Sequence, residues 1–471
     1  MESTTPTTRS PLRRLGLVGL SELEAPILAA LATESPLLLI GPHGTAKSLL
    51  LTRIAEALGL PFRHYNASLL NFDDLVGFPL PGRDGSLEYV RTPGAIWGAG
   101  AVFFDEISRC RPEIQNKLFP IVHERRVQGI ALEELRHRWA AMNPPCSDED
   151  GNGDENGYVG SEPLDAALAD RFAFILTIPP WSGFRPEEQL AVIRAREVAL
   201  EEADARAFRG AVECTRRILA LPNEALAEST ARYVQLVTAL LAQAGFVLSP
   251  RRANLLWRGV LSVNAASLAL DPGATPSDAA LVALRASLPQ RAEGVAIPEV
   301  KLLAAHREAE RAASLDENDP LHAILSASDP LERLRLATRA GSLERAELSR
   351  VVGDVIAQLE PGAREAVIVH LFETGVVGRL NAALASQAGE TYREIATPPS
   401  FSEVIHGGNS RYATWGRIKD LLSRLDPEEP RAHLHANAIA VLFARKQLVT
   451  PADAERAFEA FATADRALRS S

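Results

Sequence analysis

Between about residues 12 and 185, short apolar runs alternate with stretches of helical periodicity. The candidate strands are 37–40, 62–66, 101–104, 138–142 and 172–178, and such alternation predicts a parallel sheet flanked by helices. Pro179 and Pro180 close the segment. From Glu187 onward Ala, Leu, Glu and Arg dominate and helices are predicted, among them 187–201 and 226–244. The expected organisation is a tail over 1–11, an α/β domain over 12–185, an all-helical domain over 186–308 and a helical extension over 309–471. Turn-rich stretches at Thr397-Pro398-Pro399 and His406-Gly407-Gly408-Asn409 break that extension. Its last helix has a clear start, with Thr450 as cap and Pro451 at the first helical position. No repeat of fixed period is present, which argues against a solenoid.

A length of 471 residues allows about three domains. With 46% apolar and 23% charged residues the composition is that of an ordinary globular chain. Sixty acidic against 50 basic side chains give a net charge of −10, which repels phosphate backbones and disfavours general nucleic-acid binding. Cys110, Cys146 and Cys214 have no close-spaced pairing, so neither a disulfide framework nor a thiolate zinc site is expected, and a reducing cytoplasm fits. The N-terminal residues are polar without a signal-peptide core. No apolar run approaches the ~20 residues of a membrane span.

Chemistry enters directly after the first strand, at Gly41-Pro42-His43-Gly44-Thr45-Ala46-Lys47-Ser48. Strand, glycine loop and helix is the context in which a phosphate-binding loop works, because backbone N–H groups and a helix N-terminus surround the phosphate oxygens. Lys47 would neutralise the terminal phosphates and Ser48 would hold magnesium. Leu49, opening the helical stretch behind the loop, completes the candidate nucleotide-binding set. Ala46 stands where such loops usually carry Gly. If this position begins the helix it needs right-handed torsions, which Ala adopts readily.

A second signal lies at 101–106, an apolar strand ending in Asp105-Glu106. Ligands of open α/β sheets bind at the carboxyl ends of strands, so both acids are expected to face the phosphate loop. Asp105 suits the magnesium sphere beside Ser48, and Glu106 suits activation of an attacking water.

Taken with a strand ending in Met142-Asn143-Pro144-Pro145 and with the stretch Pro163-Leu164-Asp165-Ala166-Ala167-Leu168-Ala169-Asp170-Arg171-Phe172, these two motifs resemble the MoxR-type branch of the AAA+ ATPases. The resemblance covers roughly residues 15 to 300 and is densest in the first 180. It implies an α/β P-loop core with a five-stranded parallel sheet, a helical lid, and an additional helical C-terminal region without a family motif. It also implies ATP and Mg2+ as cofactors, assembly into a homo-oligomeric, hexameric ring, and chaperone-like remodelling of a protein partner, one carrying a von Willebrand factor A domain. Asn143 would be the polar sensor of the γ-phosphate and Arg171 the arginine finger reaching a neighbour's nucleotide. Ser249-Pro250-Arg251-Arg252 places two cations in the first turn of a helix, against its macrodipole, which predicts an anion there. In the family this motif carries the sensor-2 arginine that couples lid to nucleotide, and Arg251 is the closer match. The segment 69–100 resembles the insertion near the ring channel, 125–138 suggests a hairpin, Asn66 stands where relatives restrain the catalytic glutamate, and Arg109 is placed to reach a neighbour.

Two further patterns are read as structural. Residues 148–153 match part of a calcium loop, but its twelfth position is Val159, where a bidentate Glu is needed. His433 and His435 lie two apart, on different helical faces, and are expected to be solvated rather than ligands. Two alternatives to a remodelling ATPase stay open: a nucleotide-gated scaffold with slow turnover, which would not need Glu106 or Arg171, and a nucleic-acid motor, which the charge disfavours.

Overall fold

The computed structural model describes residues 10–81, 87–90, 92–145, 162–195, 199–315, 319–327, 329–397 and 410–469. Two compact units divide between Glu310 and Arg311. The turn-rich stretch 398–409, the acidic loop at 148–157 and residues 1–9 of the expected tail lie outside the described residues. Ser10 and Pro11, assigned to that tail on sequence, instead start a helical turn in which Ser10 caps Arg13 and Leu12 is buried.

In the first unit, strands β1 (Leu37–Ile40), β2 (Phe62–Asn66), β3 (Ala101–Asp105), β4 (His137–Met142) and β5 (Phe174–Thr177) form one sheet in the order β2-β3-β4-β1-β5. All four pairings are parallel. The central strands are covered on both faces, which is why 37–40 and 101–104 read as unbroken apolar runs. β4 departs from that rule, since His137 and Arg138 are both buried. Arg138 is tolerated there because it donates to Val122 O at 3.1 Å, Glu34 O at 2.7 Å and Arg136 O at 2.5 Å. Burial, with Arg125 nearby, pulls its guanidinium down to about 9.

Helices α1 (Glu24–Ala32), α2 (Lys47–Leu58), α3 (Pro112–Glu124), α4 (Ala166–Ala169), α5 (Pro186–Ile193), α6 (Glu202–Leu219), α7 (Glu224–Gln243) and α8 (Pro250–Leu270) complete the part that positions the site. The helix expected over 187–201 ends at Ile193. Leu190, Val192 and Ile193 are all exposed, so no packed face extends the helix, and propensity alone does not sustain a short one. The later helices belong to the same compact unit as the sheet. α6 packs on α1 and α2, and Arg209 and Arg216 donate to the carbonyls of Ala57 and Ala32, the orphan acceptors at the ends of those two helices.

Two small hairpins flank the sheet. Phe78–Pro81 pairs with Leu87–Val90 inside the 69–100 segment, and Arg126–Val127 pairs with Ile130–Ala131. The second turns through Gln128 and Gly129, both at positive φ, the primed geometry that matches strand twist.

The second unit is helical throughout its described residues. Its larger elements include α9 (Arg345–Gln358), α10 (Ala363–Glu373), α11 (Ala382–Ala396), α12 (Ala432–Ala444) and α13 (Pro451–Arg469). At the head of α13, Thr450 Oγ1 accepts from Asp453 N–H while the Asp453 carboxylate accepts from Thr450 N–H, a reciprocal cap. His435 corrects the expectation of a solvated residue. It is buried between Phe458 and Phe461, each ring 4.3 Å away, and burial holds its imidazole down to about 4. His433, on another face, is exposed.

Candidate functional site

The loop between β1 and α2, the end of β3 and the end of β4 converge because all three strands are parallel and adjacent. Lys47, Ser48, Asp105, Glu106 and Asn143 line one cavity of about 290 Å³, together with His43, Gly44, Thr45, Ala46, Leu49 and Met142. Gly41 and Pro42 lie behind it and are read by Lys47. The Lys47 ammonium is buried and donates to Gly41 O at 2.6 Å, Pro42 O at 2.8 Å and Asn143 Oδ1 at 3.2 Å. All three of its protons are therefore engaged, and contact with a phosphate requires exchanging at least one of these acceptors. Burial lowers the Lys47 pKa, against the raising influence of Asp105 and Glu106.

Ser48 Oγ donates to Asp105 Oδ2 at 2.7 Å, and Glu106 N–H donates to Asp105 Oδ1 at 3.0 Å. His64, on the neighbouring strand β2, brings Nε2 within 3.4 Å of the same Oδ2 and stacks on Phe103. Burial alone would raise the Asp105 pKa, but the hydrogen bonds from His64, Ser48 and the Glu106 backbone outweigh it and hold the carboxyl below its ordinary value. A hydroxyl and an ionised carboxylate side by side are the hard oxygen donors that magnesium takes alongside phosphate and water. His64 was not singled out in the sequence. The register that pairs it with Phe103 is a property of the sheet, and only the alternation of β2 beside β3 hinted at it.

Two backbone conformations stand out. Ala46 has φ 61° and ψ 22°, the left-handed region, where right-handed torsions were expected. The loop must reverse before the helix starts, so this residue caps α2 from outside rather than beginning it. An L-residue pays roughly 1–2 kcal/mol there, which explains the usual Gly. Glu106 is also left-handed, at φ 54° and ψ 40°. Strain of this kind is retained where surrounding contacts over-determine it. Ala46→Gly should relieve it. After subtracting the extra chain entropy of Gly, the net gain is about 0.5–1 kcal/mol, read as a higher urea midpoint for the first unit. A lower midpoint would contradict the assignment of strain.

The arginines do not line this cavity. Arg171 follows α4, stacks over Phe119 at 4.3 Å and donates to Ala167 O, the end of its own helix. Burial and the neighbouring Arg251 lower its pKa. At the head of α8 the predicted anion is present, and in this chain it is Asp170. Its carboxylate accepts from Ser249 Oγ at 3.0 and 3.1 Å, from Arg251 at 3.4 Å and from Arg252 Nε at 3.3 Å. Arg252 is fully buried and also donates to Phe172 O and Ala169 O. All its nitrogens are thus spent on holding α8 to α4, whereas the Arg251 side chain is 43% exposed. Asn66 Oδ1 accepts from Ser68, and Arg109 lies 3.6 Å from Glu106 of its own chain.

Among the described residues no group of three or more His, Cys, Asp or Glu could hold a metal, and no helix is long and apolar enough to cross a membrane.

Residues 36–172 match the family model described as "AAA domain (dynein-related subfamily)". The match takes in the loop, both acids, Asn143 and Arg171, and stops before α8. No curated protein matches the chain. Among solved structures, a "putative ATPase" from Cytophaga hutchinsonii is similar over 63% of this chain and 92% of that chain, at 21% identity and a TM-score of 0.44.

Proposed function

We propose, from the premise that residues 36–172 are an AAA domain of the P-loop type, that the protein hydrolyses ATP at a site completed by a second copy of the chain. The observation that carries this reading is the convergence of Lys47, Ser48, Asp105, Glu106 and Asn143 on one cavity at the carboxyl ends of β1, β3 and β4.

The loop amides and the N-terminus of α2 cradle the phosphates, with Lys47 released from Gly41 O and Pro42 O to meet them. Ser48 and Asp105 would hold Mg2+, which when bound supplies charge neutralisation between the phosphates. Glu106 accepts a proton from the attacking water, and Asn143, 3.2 Å from Lys47 Nζ, orients that water against the terminal phosphate. Catalysis then rests on positioning and electrostatics, without a covalent intermediate.

Arg171 and Arg251 lie together beside Asp170, apart from the cavity of their own chain. We read them as the cationic face offered to a neighbour's nucleotide in a homo-oligomeric ring. That placement differs from a sensor-2 arginine acting on its own subunit's nucleotide, the coupling expected from the sequence. The use of the cycle to remodel a partner protein, in the manner of the MoxR-type branch with a von Willebrand factor A domain partner, is the reading that the sequence resemblance supports.

The test of a shared site is complementation between two inactive variants. Arg171→Ala and Glu106→Gln should each lose ATP turnover alone. Mixed in equal amounts, about a quarter of interfaces regain one intact glutamate facing one intact arginine by random assembly, and phosphate release should return in proportion. Full activity of Arg171→Ala, or no recovery on mixing, would sink the shared site.

A further inference from the structure

The second unit contains a cavity of about 470 Å³ walled by α9, α10 and α11, within the size range of small-ligand sites. Its lining recurs at three- and four-residue spacing on each helix, as in Gly353, Ile356 and Ala357 on α9. That is the spacing of one helix face; Ile356 and Leu384 are partly buried against the adjoining core while Ala357 is exposed, so the three faces border a cleft open to solvent. Small residues on two of the helices, Gly353, Ala357 and Ala388, keep the volume open, while Ile356, Ile368 and Leu384 give it an apolar wall.

The charge is placed unevenly. Arg445 lies at the rim but is paired with Glu394 at 3.0 Å. Arg364 is different. Among the described residues its one hydrogen bond is from Nη2 to Leu359 O at 3.3 Å, its buried Nε–H has no acceptor, and no carboxylate lies within ion-pair distance. A cation left uncompensated at a half-enclosed apolar cavity favours one anionic group on whatever enters. Glu365 adds a second requirement. Its side chain is 2% exposed and lines the cavity; one carboxylate oxygen accepts from Gly362 N–H at 2.7 Å, leaving the other for a donor.

We propose that this cavity binds an α-amidocarboxylate with an apolar side chain: the carboxylate on Arg364, the amide N–H toward Glu365, and the side chain against Ile356, Ile368 and Leu384. Such a group occurs at the end of a polypeptide chain ending in an apolar residue and in free N-acylated amino acids.

Calorimetric titration of the full chain with N-acetyl-leucine, with its carboxamide, and with an octapeptide ending in leucine tests the proposal. The free acid should bind at least tenfold more tightly than the carboxamide. Arg364→Met, which keeps the aliphatic stem, should cost at least tenfold. Gly353→Leu should abolish binding without lowering the melting temperature, because a Cβ there meets only Leu384 Cδ2, at 3.9 Å, and the rest of the side chain extends into the cleft. An octapeptide binding well above N-acetyl-leucine assigns the site to chain ends, and equal affinity assigns it to the free compounds. Equal binding of acid and carboxamide, an unaffected Arg364→Met variant, or no binding of any probe at 10 mM overturns it.

Discussion

A chain carrying Glu106→Gln is expected to bind ATP like its parent and to hydrolyse it roughly 100- to 10,000-fold more slowly, the usual worth of a positioned general base. Glutamine has the same shape and can keep the left-handed backbone at this position, so the loop, the Ser48–Asp105 hydrogen bond and the Glu106 N–H donation to Asp105 should persist. What it cannot do is take the proton from water. The measurement pairs nucleotide affinity by calorimetry with phosphate release under saturating ATP and magnesium. Retained turnover would remove Glu106 from the mechanism, whereas lost affinity would show instead that the side chain shapes the phosphate cradle.

The second large effect concerns stability. Gly362 has φ 95°, and a Cβ built there would lie 2.0 Å from Ala457 O and 2.7 Å from Ala457 C. Both neighbours are backbone of α13, so no side chain can yield, and α10 would have to separate from α13 where the two pack. Gly362→Ala should therefore cost about 4 kcal/mol, adding strain at a forbidden φ to overpacking. Gly378→Ala is the control, since nothing lies within 4 Å of its Cβ position. Urea unfolding followed by a probe in the second unit separates the two. A loss under about 1 kcal/mol for Gly362→Ala would mean that α10 and α13 adapt more freely than packed helices normally do.

The strands that carry the candidate site were legible in sequence because each obeys a local rule. Fully covered parallel strands are continuous apolar runs, and the runs at 37–40 and 101–104 end at the residues that face the cavity. The loop at 41–48 announces itself by glycine, lysine and serine at fixed spacing. Other features were invisible because they depend on what lies across space. His64 reaches Asp105 only through the register of β2 on β3. Arg251 and Arg252 are adjacent and chemically identical in sequence, yet one is exposed and the other buried against α4. The helix over 187–201 had adequate propensity but no surface to cover its apolar face.

By itself, then, the sequence determined the alternating α/β order, the glycine-lysine-serine loop between the first strand and its helix, the paired acids and the helical character of the described residues after 185, since periodicity, turn chemistry and motif spacing act over short distances. Only the tertiary structure decided that Ala46 turns left-handed, that Asp170 is the anion at the head of α8, that His435 is buried, and that three helices of the second unit border a cleft whose arginine has no carboxylate partner among the described residues. Each of these follows from contacts between residues far apart in the chain, where packing and desolvation override local preference.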